Sequence, residues 1–552
     1  MSTMRRSLPL ILLLLATAVC YAALWPASFS WDDEALVRDN QLTGSLHNLP
    51  AMFQRDLWGT TRISTLASGY YRPLFLVSLA LDRALFGLSA MEAHIHSLCW
   101  HLLAVGALYA LLTRLFDPAR ALLGAAVFAL HPVQSEVLAL VAARNDSMAA
   151  ALSLFALVLV LPRERPSVGR LVGAGLLLFL ALLSKESAVL VPLMLLALDL
   201  ARWRRPGALS RYLALGVGLF AYAGLRAWAG IGGALVPEAS SFGLVLSRLP
   251  QICGVYAGLL VWPWPLSPAR HLNYLPALPA VLPGLVAFSV AMALMVWKGE
   301  RRGLVLCGLA WAALCFAPSL AATLDKGLLG ERYLYFPIAG LGFALAAAIS
   351  RPPRWLVPAF AVPCIAVLQL RLPQWHDSRT VWQAANDAAP TPFTHGGLAW
   401  YLRHEGQLKD SLPHFLAALA GDPPYRDVCE LIVAAYLEAD EIDEAARIGT
   451  WAVNERGCPK DGEILSQTSL ALAWAGRWEE AVAMAKSRPG GPEGAGVLVI
   501  AASWARAGRL DAVTALAPRV PGPTPFTDRV AKVLRKAGDT ATADKVAALG
   551  AH

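Results

Sequence analysis

Residues 4–34 read MRRSLPLILLLLATAVCYAALWPASFSWDDE. The apolar run from Ser7 to Trp25 follows Arg5 and Arg6 and has the length a helix needs to cross a hydrocarbon layer of about 30 Å. A secretory signal peptide has the same outline. Val19, however, is the wrong residue before Cys20 for a lipoprotein box, and further apolar runs follow, so the run reads as an uncleaved first span. Just beyond it stand three consecutive carboxylates, Asp32, Asp33 and Glu34.

Runs of the same kind recur near 92–116, 120–138, 146–161, 170–184, 187–201, 211–229, 279–297, 303–321, 336–350 and 355–370. Of the 552 residues 57% are hydrophobic and only 16% charged, and the mean hydropathy is +0.50. Soluble domains carry charge on about a quarter of their residues, so this chain requires an apolar solvent. From about residue 371 it turns polar, alanine-rich and helical. The expected architecture is all-α: a polytopic membrane helix bundle of about 11 spans over 1–370, then a soluble helical-repeat domain over 371–552.

The formal net charge of +8 would suggest nucleic acid in a soluble protein. Here the basic residues fill every second break: Arg5/Arg6, Arg114/Arg120, Arg163/Arg165/Arg170, Arg202/Arg204/Arg205/Arg211, Lys298/Arg301/Arg302 and Arg351/Arg354. By the positive-inside rule these breaks are cytoplasmic, and no nucleic-acid partner is implied. The alternation holds if 242–264, which ends in Trp-Pro-Trp-Pro, is a re-entrant or interfacial piece. An odd span count then puts the C-terminal domain outside the cytoplasm.

The opposite breaks share the outer face and hold the unusual polar residues. They are Asp32, Asp33 and Glu34; Tyr70-Tyr71-Arg72-Pro73; His131 and Glu136 with Arg144 and Asp146; Lys185 and Glu186; and Glu331, Arg332 and Tyr333. Each alone reads equally well as solvated loop charge. Counting the first two groups, which lie in one break, as one, four such clusters on one face point to a polar cavity at the membrane surface, because ionisable groups are costly near lipid.

The order of Trp-Asp-Asp after the first span, Tyr-Tyr-Arg-Pro-Leu at 70–74, Leu-Phe-Gly at 85–87, His-Pro-Val-Gln-Ser-Glu at 131–136, Arg-Asn-Asp at 144–146, Leu-Leu-Ser-Lys-Glu at 182–186 and Glu-Arg-Tyr-Leu-Tyr-Phe-Pro at 331–337 resembles the TMTC type of O-mannosyltransferase and its bacterial relatives. These are multi-span GT-C class glycosyltransferases with tetratricopeptide repeats after the last span, and the resemblance covers essentially the whole chain. It implies inverting transfer of a hexose such as mannose from a polyprenyl-phosphate donor to an acceptor, protein Ser/Thr, on the extracytoplasmic side of a bacterial inner membrane. In that class the base lies in the first outer loop. Asp33 is the chosen base, with Asp32 and Glu34 as neighbours that assist or hold a metal ion. A departing phosphate needs a cation, and Arg332, Arg144 and Lys185 are the candidates in that order. For Arg144 an ion pair with Asp146 or Glu136 is the competing reading. His131 and Glu136 could contact donor or metal, although a His before Pro at a span end also caps helices. No cofactor is required by these residues, and a divalent metal ion is left open.

After residue 390 a period appears. Gly406 and Asp440 stand 34 residues apart, as do Ser411 and Ala445, and Ala418 and Ala452. Gly-Arg-Trp-Glu-Glu-Ala at 476–481 and Gly-Arg-Leu-Asp-Ala at 508–512 continue it. This is a tetratricopeptide-like pattern of about four repeats, with Pro-rich 519–525 before a final short helix. Such arrays hold peptides, here the acceptor or a partner, or simply cap the membrane domain. The register puts Cys429 early in the first helix of the second repeat and Cys458 just after its second helix. These neighbouring ends are placed for a disulfide, which an oxidising compartment would permit. The remaining cysteines show no CxxC or Cys/His cluster.

A membrane-anchored repeat scaffold without catalysis is the competing function, and a transporter the third. A scaffold has no need for the acidic and basic clusters to converge, and a transporter would place its polar groups in mid-span.

Overall fold

The computed structural model describes the chain except for residues 1, 62–67, 162–165, 204–207, 233–238, 300, 422–425, 461–462, 493, 518–519, 521, 523 and 551–552. Arg163, Arg165, Arg204, Arg205, part of 519–525 and the side chains of Arg5 and Arg6 lie outside the described residues. The chain divides into two compact units, Met1–Ala388 and Ala389–His552.

In the first unit every run read as a span carries a helix: Ser2–Tyr21, Ala90–Leu112, Pro118–Leu130, Arg144–Val160, Val168–Ser184, Val191–Trp203, Leu209–Trp228, Leu278–Lys298, Arg302–Lys326, Tyr335–Ala348 and Leu356–Arg371. Among the described residues five helical stretches are long and apolar enough to cross a membrane by themselves, or six with one bent pair. Their burial explains why lipid is needed. The stretch Val141–Val160 is 78% buried, whereas Leu278–Lys298, the most apolar, is 6% buried. Leu282, Val286, Val290 and Leu294 form an exposed stripe along it. A helix apolar on its uncovered face is at home only in hydrocarbon. Exposed Trp25, Trp228, Trp262, Trp297 and Trp355 stand at or just beyond helix ends, where amphipathic rings anchor a bilayer interface.

Small residues let helices close in. A Cβ on Gly124 would lie 2.6 Å from the Gly342 carbonyl oxygen, so Pro118–Leu130 and Tyr335–Ala348 touch backbone to backbone. The run read as one span near 120–138 is bent by 49° between Pro118–Leu130 and Pro132–Ala139. Pro132 disfavours helical backbone at the residue before it, and His131 is extended, with φ −62° and ψ 126°.

The segment around 242–264 forms the helix Ala239–Val261. The chain before it is tied to the loop that carries Tyr71 and Arg72, and the chain after it to the turn that carries Arg332. Before it, Arg226 Nη2 donates to the Gly69 carbonyl (2.8 Å) in the loop that carries Tyr71 and Arg72. After it, Arg270 pairs with Glu331 (3.0 Å), and Arg270–His271 forms a short antiparallel ladder with Leu328–Leu329. Residues 371–388, placed in the soluble domain by composition, pack with the first unit: Leu372, Trp375 and Val381 lie in its core, and Ser378 binds the first loop.

The second unit is a run of five helical hairpins among the described residues. Their paired helices are 392–404/408–419, 426–438/442–454, 463–474/478–486, 495–506/510–516 and 526–536/540–548. The stretch read as a final short helix is the fifth pair. Each hairpin turns on one left-handed residue, Gly406, Asp440, Gly476, Gly508 or Gly538, with φ between 61° and 82°. Glycine adopts this backbone without strain; Asp440 holds it as the one non-glycine of the set and pairs with Lys536 at 2.5 Å.

Cys429 and Cys458 are joined by a disulfide, with Cα atoms 5.8 Å apart, as the repeat register permits. Neither thiol should label in the native, unreduced protein, and both should label after reduction and unfolding. Replacing both by Ala should cost about 3 kcal/mol of the unit's stability, from the freed loop entropy. Free labelling before reduction would contradict the bridge.

Candidate active site

The first outer loop is fastened at both ends. Trp31 has a left-handed φ of 51°, and its N–H donates to Ser378 Oγ at 2.9 Å. The Ser378 hydroxyl donates in turn to Glu34, which also meets Arg38 at 3.5 Å. Glu34 therefore braces the loop. Asp33 turns inward and is 0% exposed. Its two carboxylate oxygens accept the N–H groups of Val141 (3.1 Å) and Ala142 (2.6 Å). Burial raises the Asp33 carboxyl to about 7, against these two hydrogen bonds and with Asp32 adding to the rise. Asp32 faces the other way, with its side chain 22% exposed and Oδ2 3.9 Å from Arg332 Nη2. Burial raises Asp32 as well, against the pull of Arg332.

Arg332 lies in the 3-10 turn Glu331–Leu334, and Glu136 holds it twice. Its backbone N–H donates to Glu136 Oε2 (2.9 Å) and its Nη1 to Oε1 (2.6 Å). Glu136 is fully buried. The guanidinium also lies 5.8 Å from the Trp31 ring and 5.7 Å from the Tyr333 ring. One nitrogen is thus pinned and Nη2 faces Asp32. Nearby, Lys185 Nζ pairs with Asp146 at 2.5 Å and also feels the charges of Arg72 and Arg332. Arg72 pairs with Glu186 at 2.9 Å, and Glu186 accepts the Tyr71 N–H at 2.8 Å. Asp32, Glu136, Asp146, Lys185, Glu186, Arg332 and Tyr333 thus come together from five separated stretches.

Three expected members stand elsewhere. Arg144 is completely buried and meets neither Asp146 nor Glu136; its partner is Asp82 at 2.6 Å, which lies on Pro73–Phe86, a helix not read as a span. Glu331 points away from its neighbour Arg332 and accepts from Ser267 N–H (2.5 Å), Arg270 (3.0 Å) and Arg371 (3.3 Å). His131 caps the turn Pro132–Gln134, taking the Val133 N–H on Nδ1, and its Nε2 lies 3.3 Å from the Leu260 carbonyl. Sequence reasoning missed Asp82 and His96, which sit inside apolar helices, and Arg371, at the end of a span read as plain. A charge inside an apolar run was the available signal.

Among the described residues no group of three His, Cys, Asp or Glu side chains is placed to hold a metal ion. What the cluster can do is place a carboxylate beside a guanidinium with an uncommitted edge, with further cations within electrostatic range.

Residues 73–228 match the family model described as dolichyl-phosphate-mannose-protein mannosyltransferase. The chain is similar to protein O-mannosyl-transferases. It is 24% identical over 442 residues to protein O-mannosyl-transferase F38B6.6 of Caenorhabditis elegans, covering 75% of this chain and 63% of the relative. With protein O-mannosyl-transferase TMTC3 of Mus musculus it shares 29% over 136 residues, 24% of this chain and 15% of that protein. The chain therefore spans less than two thirds of these relatives' length. Among solved structures, ArnT from Cupriavidus metallidurans in the apo state aligns at 16% identity with a TM-score of 0.38, over 80% of this chain and 79% of that one. The resemblance read from the motifs agrees with the family model and with the named O-mannosyl-transferases.

Proposed function

We propose that the chain is an integral membrane glycosyltransferase of the GT-C class, moving a hexose such as mannose from a polyprenyl-phosphate donor to a protein hydroxyl on the extracytoplasmic side. The observation that carries this reading is the pairing of Asp32 with Arg332 at 3.9 Å at the accessible edge of the cluster. Inverting transfer needs a carboxylate that takes the acceptor proton while a cation receives the leaving phosphate. Arg332 Nη2 is the group to receive it, with Lys185 and Arg72 adding positive potential. A base must come within hydrogen-bond reach of its proton. Asp32 has that access, whereas both Asp33 oxygens are engaged by main-chain amides, so the role of base moves from Asp33 to Asp32. Asp33 then fixes the loop.

Trp31 and Glu34 bind Ser378, so the last stretch of the first unit lies against the loop that carries Asp32. This favours one shared compartment for the cluster and the repeats, and the disulfide favours an oxidising one. The hairpins are proposed to be tetratricopeptide-type repeats that present acceptor polypeptide. A reporter fused after residue 390 should be active only outside the cytoplasm, and one fused near residue 205 only inside. Either result reversed would overturn the shared outer face.

The activity itself is tested by incubating purified protein with a panel of polyprenyl-phosphate sugars and following release of polyprenyl phosphate. One sugar should be consumed. If none is, the scaffold reading takes its place.

A further inference from the structure

Behind the Asp33 loop lies a second ionic group that the proposed chemistry leaves unused. Arg144 is fully buried, and all of its nitrogens are engaged. Nη1 meets Asp82 Oδ2 at 2.6 Å, and it also lies 3.3 Å from Ser78 Oγ and 3.2 Å from His96 Nδ1. Nε donates to Ser97 Oγ at 3.0 Å and Nη2 to the Ala93 carbonyl at 2.8 Å. Asp82 Oδ1 lies 2.5 Å from His96 Nδ1, and Trp100 Nε1 donates to His96 Nε2 at 3.0 Å. His96 therefore accepts on Nε2 and carries its proton on Nδ1, aimed at Asp82. Three helices, Pro73–Phe86, Ala90–Leu112 and Arg144–Val160, are locked together by this one guanidinium.

Arg144 is also the first residue after the turn Val141–Ala143, whose N–H groups hold Asp33. Asn145 Nδ2 ties back to the Ala142 carbonyl at 2.6 Å. The place of the two amides is therefore set by the place of Arg144. We propose that Asp82 and Arg144 are positioning residues, an ion pair that fixes the Val141–Ala142 amides around Asp33 and thereby aims Asp32 at the donor. This inference rests on the proposed transferase reading for its kinetic consequences but not for its structural ones.

The field at Asp33 has identifiable sources. Asp32 stands beside it and Arg144 acts on it at longer range, with Arg332 beyond Asp32. Arg144 is faced in turn by Asp82 and His96, and at longer range by His94. Asp82 offsets the Arg144 charge. Asp82→Asn keeps the shape, exposes Asp33 to the full guanidinium field and favours its ionised form, the form that accepts both amides and so holds Asp32 in place, so the acid limb of the rate profile should move to lower pH. Arg144→Met removes the cation and should move the limb to higher pH. The double variant Asp82→Asn/Arg144→Met removes the buried charge imbalance, so it should fold even where a single variant does not, and should return the limb towards wild type.

Two measurements separate this inference from the transferase reading. The first needs no substrate. Hydrogen exchange of the full-length protein in detergent, read on peptides covering 139–145, should be about tenfold or more faster in Asp82→Asn, in Asp33→Asn and in the double variant Asp82→Asn/Arg144→Met than in wild type. Asp33→Asn combined with Asp82→Asn should add little to either alone, because both act on one contact. The second is kinetic, on the donor that the panel identifies. Supporting partners of a reactive group typically matter by about ten- to a hundredfold, and the loss should fall on kcat with the donor KM changed less than about twofold. Wild-type exchange rates in Asp82→Asn and in the double variant, or a limb that stays put in both single variants, would overturn the inference. Failure of every donor with wild-type protein would sink the transferase reading while leaving the exchange result to stand or fall alone.

Discussion

Asp32→Asn is expected to fold, insert and bind donor, and to transfer sugar roughly a hundred- to ten-thousand-fold more slowly than wild type, the usual cost of losing a general base. The amide keeps the shape and loses the ability to take a proton. Asp33→Asn should differ in kind. An amide oxygen can accept only one of the Val141 and Ala142 N–H groups, and its NH2 would confront the other. A buried N–H left without an acceptor costs about 1–3 kcal/mol, so this variant should lose stability together with activity. Melting temperature and transfer rate, measured on both variants, separate the roles. A stable Asp33→Asn protein that is dead, beside an active Asp32→Asn protein, would return the base to Asp33.

The same two carboxyls set a pH dependence. Both are raised, Asp33 to about 7; Asp32 works as a base only when ionised, and Asp33 accepts both amides only when ionised. The rate should therefore fall on the acid side well above the usual carboxylate range of about 4, and kcat/KM against pH would show it. For stability the sign is opposite. An acid whose folded pKa exceeds its unfolded value lends stability at low pH that is lost as pH rises from about 4 to 7.

Arg332→Ala is the second large effect. It removes the group proposed to meet the leaving phosphate, and losses of one such electrostatic donor run to about 10²–10³ in kcat. It also leaves fully buried Glu136 without its cation, which costs about 3–5 kcal/mol when one partner of a buried pair is lost. Arg332→Lys keeps the charge for Glu136 but not the two-pronged reach to both Glu136 and the phosphate. It should recover most of the stability and only part of the rate. Equal, near-normal kinetics in both variants would reassign Glu331-Arg332-Tyr333 to helix packing.

Much of this was legible in the sequence for simple reasons. Apolar runs and basic breaks mark helices in order, because lipid imposes both length and charge placement. The Gly406 and Asp440 spacing marks hairpins, because one left-handed turn residue recurs in each. The cluster of Asp32, Glu136, Asp146, Lys185, Glu186 and Arg332 was legible as a face but not as a set of pairs. Which carboxylate meets which base depends on helix rotation, and that is why Arg144 reads in sequence as a phosphate ligand or as a partner of Asp146 or Glu136, while its partner, Asp82, lies on a helix not read as a span. The roles of Asp32 and Asp33 were equally out of reach. Adjacent residues in a loop point to opposite sides, and nothing in the sequence reveals that the amides of Val141 and Ala142 wait on one of them. The fifth hairpin reads in sequence as one short helix behind a Pro-rich stretch, because its turn at Gly538 comes 30 residues after Gly508 rather than 34.

The most direct test of the account is mass spectrometry of a Ser/Thr-containing acceptor peptide incubated with purified protein and the polyprenyl-phosphate sugar that the panel identifies, wild type beside Asp32→Asn. Wild type should add hexose to the peptide and release polyprenyl phosphate, with almost none of either from the variant. Equal transfer by the two proteins, or an unmodified peptide with intact donor in both, would contradict it.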